Sequence, residues 1–196
     1  MGDETRAAKA RLRLELRERV AKLGPDRRRW LGAEVVERAL ELPEVVAARR
    51  VFACLSFGDE VDTWSLVDRL IDSERQVLVP RVDPGDGMIH VHPYPCELRT
   101  LSFGLQQPLR GAPELAPEAV DDGIDVALVL GIGYDRRGFR LGYGRGYFDR
   151  FLAGRTFAAI GLAYHCQLVD RLPVEPHDVA MTAVVTEKSI IRPRKS

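Results

Sequence analysis

The chain has 196 residues, 45% hydrophobic and 30% charged, which is enough for one compact core and short for two independent ones. Its 29 Lys+Arg balance 29 Asp+Glu, so the formal net charge is zero; this removes the broad attraction on which a nucleic-acid or anionic-membrane partner depends and leaves only local basic patches. Cys54, Cys96 and Cys166 are odd in number, widely spaced and without a C-x-x-C pair, which argues against a disulfide framework or thiolate metal site and predicts a reducing, cytoplasmic setting.

The amino-terminal MGDETRAAKARLR has no apolar run behind its charges, and no segment approaches the about 18 apolar residues of a membrane helix. Residues Thr5 to Lys22 and Asp26 to Leu42 read as two amphipathic helices broken at Gly24 and Pro25, a helical hairpin with Asp26 in the N-cap place. Lys9, Arg13 and Arg17 recur every four residues along one face. Such a stripe is ordinarily solvated; docked across the ligand edge of a sheet, it would present Lys9 and Arg13 to a polyphosphate.

A strand at Arg50 to Cys54, a helix at Thr63 to Asp72 capped by Asp62 or Thr63, and a strand at Gln76 to Pro80 form a βαβ unit. Between them lies SFGDEVDT. Asp59 and Glu60 are ordinary solvated acids unless their place at a strand's carboxyl end puts them beside a ligand. After a turn at Asp83 to Gly87, MIHVHPYP alternates as a more exposed strand. His90 and His92 share one of its faces without a third ligand, so no zinc site is expected. Cys96 to Asp122 is rich in proline and glycine and reads as an insertion or lid.

DVALVL at Asp125 to Leu130 is a short apolar run ended by glycines, fitting a buried parallel strand that feeds a functional loop. The loop is RLGYGRGYFD, Arg140 to Asp149. Glycine costs conformational entropy, so Gly142, Gly144 and Gly146 at alternate positions suggest a close approach of backbone to a ligand, although a mobile connection would look the same. Tyr147, Phe148, Phe151 and Leu152 have helical spacing, placing the glycines at a helix start where amides and dipole favour an anion. The run lacks the GK[ST] ending of a Walker A loop, and its glycine spacing does not fit the dinucleotide fingerprint. Strands at Phe157 to Leu162 and Met181 to Val185 bring the total to about six, mostly parallel, with helices on both faces: one α/β domain over residues 1–196. The turn PVEPHD at Pro173 to Asp178 offers Asp178 to complete a magnesium site with Asp149.

Taken in order, KARLR at Lys9 to Arg13, ACLSFGDEVDT at Ala53 to Thr63, LVPR at Leu78 to Arg81, FGLQQP at Phe103 to Pro108, DVALVLGIGYDRRGFRLGYGRGYFDRFL and PVEPHD resemble the 5-formyltetrahydrofolate cyclo-ligase family over nearly the whole chain. The most specific element is Asp135 to Asp149. The resemblance implies ATP- and Mg²⁺-dependent conversion of 5-formyltetrahydrofolate to 5,10-methenyltetrahydrofolate through a phosphorylated formyl group, an imidate phosphate. It implies that Lys9, Arg13 and the run Arg140, Leu141, Gly142, Tyr143, Gly144, Arg145, Gly146, Tyr147 and Phe148 contact ATP, with Arg145 and Tyr147 the catalytic pair. Arg13, Leu55, Glu60, Phe103 and Tyr147 would contact the folate, and Asp149 and Asp178 would hold magnesium. The expected partner is the small-molecule folate, with no nucleic acid and no membrane, and the chain is expected to act as a monomer. Two departures stand out: Leu130 where family members commonly have proline, and Gln106 to Pro108 where they commonly carry a glutamate. Two other readings stay open: an ATP-dependent enzyme of the same fold acting on another small acid, and a noncatalytic nucleotide or RNA module using Arg136, Arg137, Arg140 and Arg145.

Overall fold

A computed structural model describes residues 2–193. In chain order its elements are α1 (Gly2–Ala21), α2 (Pro25–Leu40), α3 (Pro43–Val46), β1 (Arg50–Ala53), α4 (Trp64–Asp72), β2 (Gln76–Asp83), β3 (Met88–Tyr94), β4 (Leu98–Thr100), β5 (Gln106–Pro108), α5 (Val120–Gly123), β6 (Val126–Leu130), β7 (Gly133–Asp135), β8 (Arg140–Leu141), α6 (Tyr147–Leu152), β9 (Ala158–Leu162), β10 (Leu168–Val169), β11 (Ala183–Val185) and β12 (Ile190–Ile191). The main sheet has seven strands in the order β12-β11-β9-β6-β1-β2-β3. Its five central strands are parallel; the edge strands β3 and β12 pair antiparallel. The expectation of about six strands is one short, because Ile190–Ile191 is too brief to show a period of two.

Burial explains the sequence pattern. All five residues of β6 are buried, as expected of a central parallel strand covered on both faces. β3 at the edge alternates instead, with Ile89 and Val91 inward and Met88 and His90 more open. α4 carries a strong apolar face of Leu66, Val67 and Leu70, whose side chains recur at helical spacing and join the core.

Local capping differs from the expectation at two places. Gly24, with φ 71°, occupies the α2 N-cap and Pro25 takes the first helical position, since proline's missing N–H and fixed φ suit that place. Asp26 moves into the first turn and pairs with Arg29 at 3.1 Å in solvent. At α4 the duty is divided: Asp62 Oδ1 accepts the Trp64 N–H at 2.9 Å. Thr63 is buried and clasps the end of β1, its hydroxyl donating to Cys54 O at 2.6 Å and accepting Ser56 N–H at 2.8 Å.

The stretch from Cys96 to Asp122 is more ordered than its composition suggests. β4 and β5 form a small antiparallel ribbon, and Gln107 stitches it to β2: its amide oxygen accepts Val82 N–H at 3.1 Å and its amide nitrogen donates to Val82 O at 3.3 Å. Around it, Arg81 donates to Asp83 at 2.9 Å, Arg110 to the same carboxylate at 2.7 Å, and His92 Nδ1 meets Pro113 O at 2.8 Å. His92 is fully buried beside Arg81, with its ring held below the ordinary histidine value by burial. His92 thus serves a buried polar network, whereas His90 is more open and meets Asp86 at 2.8 Å, in a group with Asp83 whose ligand atoms lie within 4.8 Å of one another.

Candidate functional site

In the sheet order, the connection from β1 leads to β2 on one side while the chain from β6 leads to β9 on the other. The switch point between β1 and β6 is where an open α/β sheet leaves a crevice at its carboxyl edge. Its walls are the β1–α4 loop with Leu55 to Thr63 and the segment from Gly131 through the glycine run to α6.

The glycine run begins as β8, paired with β7, and leaves the ribbon at Gly142. A Cβ on Gly142 would sit 2.5 Å from an Arg140 Nη atom, so the guanidinium would have to shift to admit a side chain. Gly144 has φ 97° with the Arg13 guanidinium 3.2 Å from where its Cβ would be, a left-handed backbone that L side chains resist. Two guanidinium groups therefore press on this backbone. Arg13 reaches from α1 and donates from Nε to Gly142 O at 2.8 Å, while Arg140 lies beneath, its side chain 4% exposed.

Arg140 is poorly satisfied for so buried a charge. Among the described residues its one carboxylate partner, Asp149 Oδ2, is 3.4 Å away and its Nε has no hydrogen-bond partner; its guanidinium carbon lies 5.1 Å from the centre of the Phe148 ring. A buried guanidinium donor without an acceptor is costly, and an anion in the crevice would satisfy it. Arg145 is exposed and meets no carboxylate among the described residues. The α6 helix, by contrast, has only six residues. The expected dipole is correspondingly small, and the anion-directed character comes from arginines and glycine backbone.

The acidic side of the crevice joins two loops. Val179 N–H points to Asp149 Oδ1 at 3.5 Å, bringing α6 against the turn that carries Asp178. Asp178 Oδ2 accepts Glu175 N–H at 2.7 Å and Lys9 Nζ at 2.6 Å, and Lys9 also reaches Glu175 at 2.9 Å. Burial lowers the Lys9 ammonium, but the hydrogen bonds to Asp178 and Glu175 outweigh it and hold the group above its ordinary value. Glu175, Asp178 and His177 each offer a ligand atom within 4.8 Å of one another. Carboxylate oxygens are the hard donors that Mg²⁺ takes; Asp149, the other expected ligand, is not in this group.

On the opposite wall, Leu55 is buried directly after β1. Glu60 folds back so that Oε2 accepts its own loop's Phe57 N–H at 3.1 Å, and Oε1 accepts the Tyr143 hydroxyl at 2.8 Å. Burial pushes the Glu60 carboxyl up to about 7, against the pull of these two donors and of Arg17. Phe103 is 60% exposed at the tip of the β4–β5 ribbon and meets Phe57 edge to face at 5.6 Å. Phe57 also lies 5.5 Å from Tyr143.

The structure brings together most of the residues expected from the sequence. Tyr147 stands apart: its ring carries Arg150 at 5.3 Å, which in turn donates to Gly87 O at 2.7 Å, and no hydrogen bond or ring contact among the described residues joins it to Glu60 or Phe103. Asp59 is taken by Arg28 at 2.7 Å. Sequence reasoning missed Phe57 and the role of Arg17, whose guanidinium lies 5.3 Å from the Tyr143 ring centre. The signal for Arg17 was present in the Lys9, Arg13, Arg17 spacing; nothing marked Phe57 beyond its neighbours. Arg137 is spent on Asp135 at 2.6 Å and Arg136 faces Asp170 at 3.7 Å, which leaves a basic interface little to work with.

Fold and site together define an enzyme of the open-sheet α/β class, with an anion-directed glycine loop facing an aromatic and carboxylate wall across the switch-point crevice. Residues 5–187 match the model of the 5-formyltetrahydrofolate cyclo-ligase family, and the chain belongs to that family. It is 30% identical over 182 residues to a 5-formyltetrahydrofolate cyclo-ligase of Escherichia coli strain K12, covering 89% of this chain and 98% of the relative. It is 36% identical over 151 residues to the one of Mycolicibacterium smegmatis, covering 73% and 76%. The solved structure of 5,10-methenyltetrahydrofolate synthetase from Aquifex aeolicus superposes with a TM-score of 0.79 at 30% identity, covering 96% of this chain and 94% of that one. Among the described residues no helix is long and apolar enough to cross a membrane.

Proposed function

We propose that this enzyme uses ATP to cyclise 5-formyltetrahydrofolate to 5,10-methenyltetrahydrofolate, releasing ADP and phosphate, as a cytoplasmic monomer with its single domain spanning the chain. The observation that carries the reading is the Tyr143 to Glu60 hydrogen bond: it joins the arginine-lined glycine loop to a half-buried carboxyl flanked by exposed aromatic rings, so one crevice offers polyphosphate donors and a pterin acceptor together.

A formamide is a poor electrophile because oxide is a poor leaving group. Its oxygen takes the γ-phosphoryl group of ATP, forming a C–O–P link as ADP departs, and the C–N5 bond gains double-bond character. The folate's N10 then attacks the formyl carbon, the C–O bond breaks with its electrons leaving on phosphate, and N10 loses its proton. This demands positioning and charge stabilisation more than a protein nucleophile. Arg13, Arg140 and Arg145 hold the phosphates, with Gly142 to Gly146 supplying backbone that approaches closely and Lys9 beside them. Asp149 and Asp178 hold magnesium, which would neutralise phosphate charge during transfer. Glu60 accepts N–H donors of the pterin, while Leu55 and Phe103 bound its apolar surface and Tyr147 closes the end of the loop.

Formation of the methenyl product, followed by its near-ultraviolet absorbance with and without ATP and magnesium, tests substrate, cofactor and reaction class at once. ATP hydrolysis indifferent to 5-formyltetrahydrofolate would sink the folate assignment and leave an ATP-dependent enzyme for another small acid.

A further inference from the structure

One side chain crosses the crevice. Tyr143 sits between Gly142 and Gly144, donates its hydroxyl to Glu60 Oε1 at 2.8 Å, lies 5.5 Å from the Phe57 ring and carries the Arg17 guanidinium 5.3 Å from its centre. It remains 48% exposed, so these contacts rather than core packing hold it in place. Glu60 is anchored locally: Oε2 accepts Phe57 N–H at 3.1 Å, and Tyr164 donates to the Glu60 backbone carbonyl at 3.1 Å. Among the described residues only Tyr143 hydrogen-bonds Oε1.

We propose that Tyr143 is the positioning residue for folate recognition, its hydroxyl orienting the Glu60 carboxylate toward the pterin and Arg17 acting through the Tyr143 ring. The reading deepens the proposed function and rests on Glu60 being the pterin acceptor. A carboxylate has about four lone-pair sites on two oxygens. Phe57 and Tyr143 use one on each oxygen, which leaves one on each for the adjacent amino and ring N–H donors of a 2-amino-4-oxo pterin. Without the tyrosine hydroxyl, Oε1 is free to turn away.

The groups bearing on Glu60 come from every wall. Arg17 belongs to α1, Tyr143 to the glycine loop, Cys54 follows β1 and Tyr134 lies in β7. Burial pushes the Cys54 thiol up to about 12 and the Tyr134 hydroxyl up as well, so both are uncharged near neutrality. Arg28 and Asp59 beside the loop pair with each other. The Tyr143 hydrogen bond and the Arg17 charge are thus the side-chain influences that favour an ionised Glu60.

Tyr143→Phe keeps the ring and the backbone of the glycine loop while removing the hydroxyl, so it leaves the fold intact. The expected result is a KM for 5-formyltetrahydrofolate raised about five- to tenfold, the worth of one hydrogen bond, and raised by more than the KM for ATP. In ligand-free protein carrying ¹³C at glutamate Cδ, the Glu60 resonance should titrate at higher pH than in the parent. Arg17→Gln should weaken folate binding in the parent and weaken it less in the Tyr143→Phe background, where only its charge still acts on Glu60. An unmoved Glu60 titration with unchanged folate KM, or a loss confined to ATP, overturns the proposal. Glu60→Ala separates the two levels: if it leaves folate KM unchanged, the folate reading fails and takes this inference with it. If Glu60→Ala weakens folate while Tyr143→Phe does not, only the positioning role falls.

Discussion

Lys9 and Asp178 stand 169 positions apart in the chain, and their side chains meet at 2.6 Å with both nearly out of solvent. This pair docks α1 across the carboxyl edge of the sheet and holds the predicted phosphate cation against the predicted metal carboxylate. Lys9→Met should therefore raise the KM for ATP about tenfold, one charge-assisted hydrogen bond lost. Initial rates at varied ATP check it.

Lys9 and its second partner, Glu175 at 2.9 Å, link stability to pH. Lys9 is held above its ordinary value, so its contribution is complete below about pH 10.4 and lost as pH rises further. Glu175 is held below its ordinary value by Lys9, so its contribution is complete above about pH 4.3 and lost as pH falls. Thermal unfolding midpoints should fall at both extremes, and Lys9→Met should shrink the fall at each end. Equal slopes in parent and variant would contradict the pairing.

Asp149 faces the under-satisfied Arg140 and the Val179 amide. In Asp149→Asn the carboxylate charge is gone but the shape remains. Turnover should drop by about two orders of magnitude or more, the scale of losing a charge placed to stabilise phosphoryl transfer. Circular dichroism should still report a folded protein whose melting point has moved by roughly 2–8 °C, as about 1–2 kcal/mol would produce in a domain of this size.

Arg145 is exposed and meets no carboxylate among the described residues, so Arg145→Ala should leave the melting point unchanged while weakening ATP use about ten- to a hundredfold in kcat/KM, the worth of a guanidinium on phosphate. A variant with parental kinetics would remove Arg145 from the site.

Glu60 should confer a pH dependence on folate binding. With its carboxyl at about 7 in the free enzyme and the ionised form as acceptor, the KM for 5-formyltetrahydrofolate should fall as pH climbs from 6 to about 8 and then level off, and Glu60→Gln should abolish the trend. Stability runs the other way. A raised carboxyl value favours the folded state only while protonated, so this contribution is complete below about pH 4.3 and lost as pH rises through about 7. Glu60→Gln should be the more stable protein at pH 8.

The departure at Gln106 to Pro108 has a structural answer in Gln107, which is buried and uses both ends of its amide on Val82. Glutamate there would place a carboxylate oxygen against Val82 O. Gln107→Glu should cost about 1–3 kcal/mol at neutral pH with less effect in acid, measurable by urea unfolding at pH 5 and 8.

Much of the architecture was legible because it is local. The apolar runs at Val126–Leu130 and Ala158–Leu162, the periodic faces of α2 and α4, and the alternate glycines of the site loop each declare themselves within a few residues. Asp26 misled because proline at the next place up the helix overrides a good capping side chain. Ile190–Ile191 was silent because two residues cannot express an alternation. The folded ribbon inside Cys96 to Asp122 was hidden because Gln107 takes its partners from β2, about 25 residues away.

Composition and patterning alone determined a neutral, mostly parallel α/β chain with a glycine-and-arginine loop after a buried strand, since period and residue type act over short distances. Only the folded chain decided that Lys9 meets Asp178, that Arg140 is left with an empty donor, and that Tyr143 reaches Glu60. Those encounters depend on which strand neighbours which in the sheet, and strand order is settled by packing the whole core at once.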